Sequence, residues 1–423
     1  MRGSAAVRPV RPIVLGGDIG AYASARAFHE AFGVRSVVVA GAATGPVRDS
    51  VAVDLRVVPD VAADLVATLG AIVAERPGER HLVLASADWL VEAVVAAAPQ
   101  LRDLGVVVPY APADVVAQVS DKAQVMAACA ALGVPHPETA VIVLDGEARL
   151  DAVLAPLAEL TYPRVVKVAS TSRAHDVTYP GQAKVHVVAD AAEARDLLGR
   201  MAAAGLRGGV LVQEVLPGGD GAMAAANVFV GPDGEVRFAQ LGRVLLEEHT
   251  PTALGNSLAQ VTADARTDAV APAVLADVQR LLRHLGWSGF ANVDLMQDAA
   301  GTYRVLEINP RVGRSGYAVT ASGYNVAAMY VDAYLDRAPA PAAPVLGARE
   351  HLFTVVPTAL LRVFAPQARA QVRRLRRARA VTNVLVYRAE RSPRRWWYVT
   401  VAAVNQARKL LRYHPASPLA GRR

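Results

Sequence analysis

The chain of 423 residues has a single cysteine, no long apolar run and few aromatic side chains, and each shortage removes a class of protein. Cys129 has no partner for an internal disulfide. It sits in the helical pattern "VMAACAALG", where a thiol reads as a small buried hydrophobe rather than a nucleophile. No window approaches the roughly 18 to 20 consecutive apolar residues of a membrane span. The arginine-bearing start runs into "PIVLGGDIGAY", whose glycines interrupt it before a signal-peptide core could form. A cytoplasmic protein is therefore expected. The main body has no stretch interleaving basic and aromatic residues, so no nucleic-acid partner is expected. No internal repeat is visible.

What remains is a globular composition, 53% hydrophobic and 20% charged, on a chain long enough for two to four domains. The net charge of +7 is unevenly placed. From Arg362 onward there are 16 Lys/Arg and one acid, Glu390, a tail of +15 against −8 for the rest. The basic character belongs to the tail.

Residues 12–110 alternate short apolar strands ("PIVLGG", "SVVVAG", "HLVLAS") with helical patterns ("AYASARAFHEAFG", "ADWLVEAVVAAA"). This rhythm predicts a parallel sheet with right-handed crossovers and a ligand edge at the strand C-termini. The glycines of "GGDIG", Gly16–Gly20, lie at one such edge. The acid expected about 20 residues later for a dinucleotide ribose is absent, which argues against a Rossmann cofactor site. From residue 113 the texture becomes α+β. The expected division is a βαβ domain over 1–112, a second domain over 113–335, a Pro/Ala linker over 336–349 and a basic C-terminal appendage over 350–423. Within the appendage, "VTNVLVYRA" and "WWYVTVAAV" read as apolar strands.

The segment "FANVDLMQDAAGTYRVLEINPR" reads as a hairpin turning at "DAAG". Because side chains alternate across a strand, Asp294 then stands opposite or diagonal to Glu307, with Asn309 on the same face as Glu307. Two carboxylates and an amide oxygen, with no His or Cys beside them, suit a hard cation such as Mg²⁺. Two lysines could face phosphates: Lys122 at a helix start in "SDKAQ", and Lys167 inside the apolar strand "RVVKVA", where an ammonium calls for an anion. A polar loop, "ASTSRAHDVTYPGQAKV", follows. Next comes "GVLVQEVLPGGDGAM", an apolar strand ending in Gln213 and Glu214 with Asp220 a turn later, suited to a flat heterocycle and ribose hydroxyls.

In that order, these motifs resemble the ATP-grasp superfamily over roughly 113–335, with the βαβ region as its usual preceding domain. "LGGDIGAYASARAFHE", "YPGQAKVHVV" and "NPRVGRSGY" look most similar to the D-aspartate ligase-like carboxylate–amine ligases. The resemblance implies a two-lobed ATP-grasp domain using ATP and Mg²⁺, or Mn²⁺ in its place. Lys122 and Lys167 would hold phosphates; Gln213, Glu214 and Leu216 would border adenine; Asp220 would take the ribose. Asp294, Glu307 and Asn309 would bind the metal. Arg311, Arg314 and Arg243 would hold the acyl phosphate or substrate carboxylate through their guanidinium forks. The family's covering loop is usually glycine-rich, whereas "STSRAHDVTYPGQAK" has only Gly181.

The implied reaction is ADP-forming: a small-molecule carboxylate becomes an acyl phosphate and is captured by an amine, with an amino acid or peptidoglycan-type precursor as the substrate class. Two alternatives keep different parts of the reading. One is an ATP-grasp carboxylase using bicarbonate. The other is a non-enzymatic protein whose basic tail binds an anionic membrane; the same tail could also give the enzyme a peripheral membrane contact.

Overall fold

A computed structural model describes residues 9–145, 153–170, 177–250, 253, 255–415 and 417. Part of the polar loop after Lys167, residues 171–176, lies outside them. The mixed α/β architecture expected from the sequence is present, carried by three sheets. The first is a five-stranded parallel sheet ordered β3-β2-β1-β4-β5, from Val10–Leu15 (β1), Ser36–Ala40 (β2), Val53–Val57 (β3), Arg80–Ala85 (β4) and Val106–Val107 (β5). The central strand β1 is apolar and nearly all buried, as a strand covered on both faces must be. Asp18 caps the following helix, Ile19–Phe32, by accepting from Ala21 N at 2.9 Å.

The second sheet is antiparallel, ordered β6-β9-β7-β8, from Thr139–Leu144 (β6), Arg164–Val168 (β7), His186–Val188 (β8) and Gly208–Glu214 (β9). The third has eight strands: β14-β13-β10-β11-β12-β16-β17, with β15 pairing β11. They are Met223–Val230 (β10), Val236–Glu247 (β11), Ser257–Thr262 (β12), Gly289–Gln297 (β13), Tyr303–Asn309 (β14), Val345–Leu346 (β15), Leu352–Thr354 (β16) and Val381–Asn383 (β17). The hairpin β13–β14 turns at Asp298–Gly301, where Gly301 takes the left-handed backbone (φ 82°). Asp294 pairs directly with Glu307.

Two expectations about the C-terminal region are corrected. The Pro/Ala linker contributes β15, because Val345 and Leu346, at the end of the proline run, run alongside Phe238 and Ala239. The segment "WWYVTVAAV" lies within helix Pro393–Tyr413 rather than in a strand. Its start carries a Ser392 cap and Pro at the first turn. Arg395 and Leu410 are fully buried, Gln406 is buried, and Tyr398, Val399 and Ala402 pack partly against the core; these positions fall at helical spacing.

The tail is woven into the body. One apolar core joins Val14 and Tyr22 of the first sheet region to Leu246, Phe353, Leu361, Phe364, Leu385 and Leu410. Buried Arg26 donates to Val384 O at 2.7 Å and Val386 O at 3.1 Å. The tail's one acid, Glu390, is buried, accepting from Ser50 Oγ at 2.6 Å and Val51 N at 2.9 Å. Arg395, with no exposed surface, donates to Gly45 O and Pro46 O and stacks over Tyr22 at 4.1 Å. By contrast, Arg362, Arg369, Arg373, Arg376 and Arg377 are exposed and line an open cleft of about 610 Å³.

Candidate active site

A second cleft, of about 640 Å³, opens where the C-terminal edge of the parallel sheet meets the eight-stranded sheet. Asp18, Ser86, Asp88 and Trp89 line one side, and Asp294, Glu307, Asn309, Arg311 and Arg314 the other. Lys122 and Lys184 also line it. Lys122 opens helix Lys122–Leu132 after the capping residue Asp121, and its backbone N–H donates to Ala169 O at 3.0 Å. That bond ties the helix start to the end of β7, the strand carrying Lys167.

Opposite charges converge here. Lys122 Nζ lies 3.2 Å from Glu307 Oε2. Burial pushes the Glu307 carboxyl upward, but Lys122, Lys184 and Lys167 together outweigh it and hold the group well below its ordinary value. Its neighbour Asp294 goes the other way, raised to about 7 by burial and by the charge of Glu307. The pair resembles two carboxylates sharing a site, in which one stays ionised and the other resists ionisation. Burial lowers Lys167 to about 8 despite the opposing pull of Glu307.

A third carboxyl, Glu247 at the end of β11, lines the same cleft. It is buried, its Oε1 has no hydrogen-bond partner among the described residues, and burial with the charges of Asp220 and Asp294 raises it to about 7. Asn309 Nδ2 donates to Asp294 Oδ2 at 3.1 Å and to Asn292 Oδ1 at 3.2 Å. A carboxylate oxygen without a partner among the described residues, beside an ionised Glu307 and an Asp294 that resists ionisation next to it, fits a hard divalent cation. The donor set is oxygen-rich, as Mg²⁺ requires.

Other sequence candidates are placed differently. Arg243 does not line the cleft; it pairs with Asp268, Nη2 to Oδ1 at 2.9 Å, and donates from Nε to Tyr303 OH at 3.2 Å. Asp268 is itself fixed by backbone N–H groups of Val270 and Ala271 at the start of helix Ala271–His284. Gln213 is buried mid-sheet with Nε2 donating to Thr139 Oγ1 at 2.8 Å. Glu214 accepts from Arg304 at 2.8 Å and from Glu138 N at 3.0 Å. Both side chains are engaged, Leu216 is half-buried, and none of the three is among the residues lining the cleft. Asp220 is not among the residues lining the cleft; its Oδ2 accepts from Glu247 N at 2.7 Å, and Oδ1 meets His249 Nε2 at 2.8 Å. Arg311 Nε lies 2.7 Å from Asp88 Oδ1. Arg314 Nη1 lies 3.4 Å from Glu248 Oε2, whose other oxygen holds Lys409 of the tail helix at 2.6 Å.

Lys184 and Glu247 are the contributors that sequence reasoning did not assign. Lys184 lay unmarked in "YPGQAKV", and the signal for Glu247 was the unusual pair of acids ending the apolar run "RVLLEE".

No family model matches the chain. It is 28% identical over 322 residues to the D-aspartate ligase of Enterococcus faecium (strain Aus0004), covering 75% of this chain and 74% of that protein. Among solved structures it superposes on the biotin carboxylase domain of Hydrogenobacter thermophilus 2-oxoglutarate carboxylase, in complex with MgADP, ADP and bicarbonate. The TM-score is 0.61 at 12% identity, covering 81% of this chain and 73% of that one. It also superposes on an L-amino acid ligase from Bacillus licheniformis, with TM-score 0.55 at 17% identity, covering 77% and 74%. The chain has the ATP-grasp fold that these solved structures share. Within it, the sequence similarity runs to D-aspartate ligase.

Proposed function

We propose that the protein is an ATP- and Mg²⁺-dependent, ADP-forming carboxylate–amine ligase. The observation that carries this reading is the meeting of Asp294, Glu307 and Glu247 with Lys122, Lys184 and the nearby Lys167 at one cleft. Carboxyls without cations would be costly to bury together, and lysines without anions equally so; a metal–polyphosphate complex satisfies both sets. Asp294, Glu307 and Asn309, with Glu247 beside them, would hold Mg²⁺, which when bound neutralises charge on the phosphate oxygens.

The chain's own residues then have positional roles. Lys122, Lys167 and Lys184 bind the phosphates and offset charge as the γ-phosphoryl group leaves for the carboxylate oxygen. The backbone around 214–216 borders the adenine. Arg311 and Arg314 orient the substrate carboxylate and the acyl phosphate, and an amine then displaces phosphate from the acyl carbon to leave an amide. No strong protein base is needed for the first step, because a carboxylate is already a competent nucleophile. The similarity to D-aspartate ligase makes D-aspartate the first carboxylate to try, with amines of the peptidoglycan-precursor type.

The test is nucleotide product analysis with Mg·ATP and a panel of amino acids, peptides and bicarbonate. ADP and phosphate release stimulated by an amino acid plus an amine is expected. AMP and pyrophosphate would refute the acyl-phosphate route, and stimulation by bicarbonate alone would favour carboxylation.

A further inference from the structure

The geometry points to a second metal site, distinct from the carboxylate pair of the cleft, in which Asp220, His249 and His414 hold a divalent transition ion of the Zn²⁺ class. The three residues come from separate parts of the chain: a short turn after β9, the segment just past β11, and the C-cap of helix Pro393–Tyr413. One ligand atom from each lies within 4.8 Å of the others. His249 Nε2 is 2.8 Å from Asp220 Oδ1, and His414 Nε2 is 3.6 Å from Asp220 Oδ2. Tetrahedral ligands with bonds of about 2.0–2.1 Å stand about 3.3 Å apart, so these spacings straddle the value such an ion would impose.

The surroundings match as well. Asp220, His249 and His414 side chains are 13%, 17% and 8% exposed, so their ligand atoms are largely shielded from solvent. Glu247 N–H donates to the Asp220 carboxylate at 2.7 Å, fixing it as an outer partner does in metal sites. Phe364 packs edge-on against His414 at 5.1 Å, and the two imidazoles meet edge-on at 4.7 Å, so the rings have little freedom to turn away. Imidazole nitrogen selects Zn²⁺-class ions over Mg²⁺, which separates this site from the oxygen-only set at Asp294 and Glu307. Bound metal clamps the end of the tail helix to the strand end that presents Glu247 to the cleft. The site stands whether or not the ligase reading does.

The experiment uses the full chain, stripped of metal and held in excess Mg²⁺ so that the carboxylate cleft does not compete. Zn²⁺ is titrated calorimetrically, and Co²⁺ is added separately as a spectroscopic probe. One equivalent of Zn²⁺ is expected to bind. His249→Gln and His414→Gln should each weaken it by more than the roughly 10–100-fold that loss of an outer-shell partner costs. Bound Co²⁺ should show the intense visible bands of a four-coordinate site with nitrogen ligands. If a variant fails to fold, by circular dichroism, the Co²⁺ spectrum of the wild type decides. Absence of Zn²⁺ binding, binding unchanged in both histidine variants, or a weak octahedral Co²⁺ spectrum would each overturn the assignment.

Discussion

The helix Pro393–Tyr413 is a structural part of the protein, and Leu410 shows how much rests on it. Leu410 is 2% exposed among Leu361, Phe364 and Phe353, all buried in the same core. Leu410→Ala removes three carbons and leaves a void that the surrounding side chains fill only partly, at a cost of about 3 kcal/mol within the usual 2–5. At about 2 °C per kcal/mol for a large cooperative unit, Tm should fall by roughly 6 °C. The adjacent Lys409 makes the comparison sharper. It is 45% exposed, so solvent screens its pairing with buried Glu248, and Lys409→Met should cost only about 1 kcal/mol. Its effect should fall on substrate binding, because among the described residues Arg314 is then the one cation paired with Glu248, which still accepts from Thr250, and that guanidinium is drawn away from the carboxylate it would hold. The assays are scanning fluorimetry and coupled ADP release. Leu410→Ala should lower Tm with near-normal kcat below the transition, whereas Lys409→Met should raise KM for the carboxylate with little change in Tm. A chain ending at Arg391 that keeps wild-type Tm and turnover would refute the packing argument entirely.

Other expectations follow from the cleft. Glu307→Gln removes the charge that pairs with Lys122 and that, on the proposed function, would bind metal, so ATP turnover should be abolished; turnover assayed across a range of Mg²⁺ concentrations is the check. With Lys167 lowered to about 8, its charge is present below that pH and lost above it, so KM for ATP should rise as pH passes 8. Lys167→Arg, which stays charged, should flatten that alkaline rise. Asp294, raised to about 7, is protonated below that pH, so apparent Mg²⁺ affinity should improve as pH climbs from 6 to 8. Arg243→Met should leave kcat/KM unchanged and cost about 1 kcal/mol in stability, measured by denaturant titration, because its partner is Asp268 rather than substrate.

Local rules carried the sequence reading a long way. The βαβ rhythm foretold the parallel sheet, since strands covered on both faces read as mostly apolar runs. Strand alternation and a turn at "DAAG" brought Asp294 and Glu307 to neighbouring positions, but the turn's own register, Leu295 with Val305, would set Asp294 against Leu306; a register shift between Asp294 and Leu295 puts Glu307 opposite it. A lysine inside an apolar strand announced its need for an anion. Tertiary structure decided the rest. Val244 and Glu247 both line the cleft although they are an odd number apart, which strict alternation forbids; two register shifts in β11 allow it, and no local pattern announces them. The β-branched run in "WWYVTVAAV" suggested a strand, but a helix with a Ser-Pro start could bury Leu410 and Arg395 against elements hundreds of residues away. Likewise, nothing near Asp220 in sequence reveals that His249 and His414 would arrive beside it. Periodicity reports which face of an element is apolar; which partner that face meets, and which charges gather there, is settled only when distant segments pack.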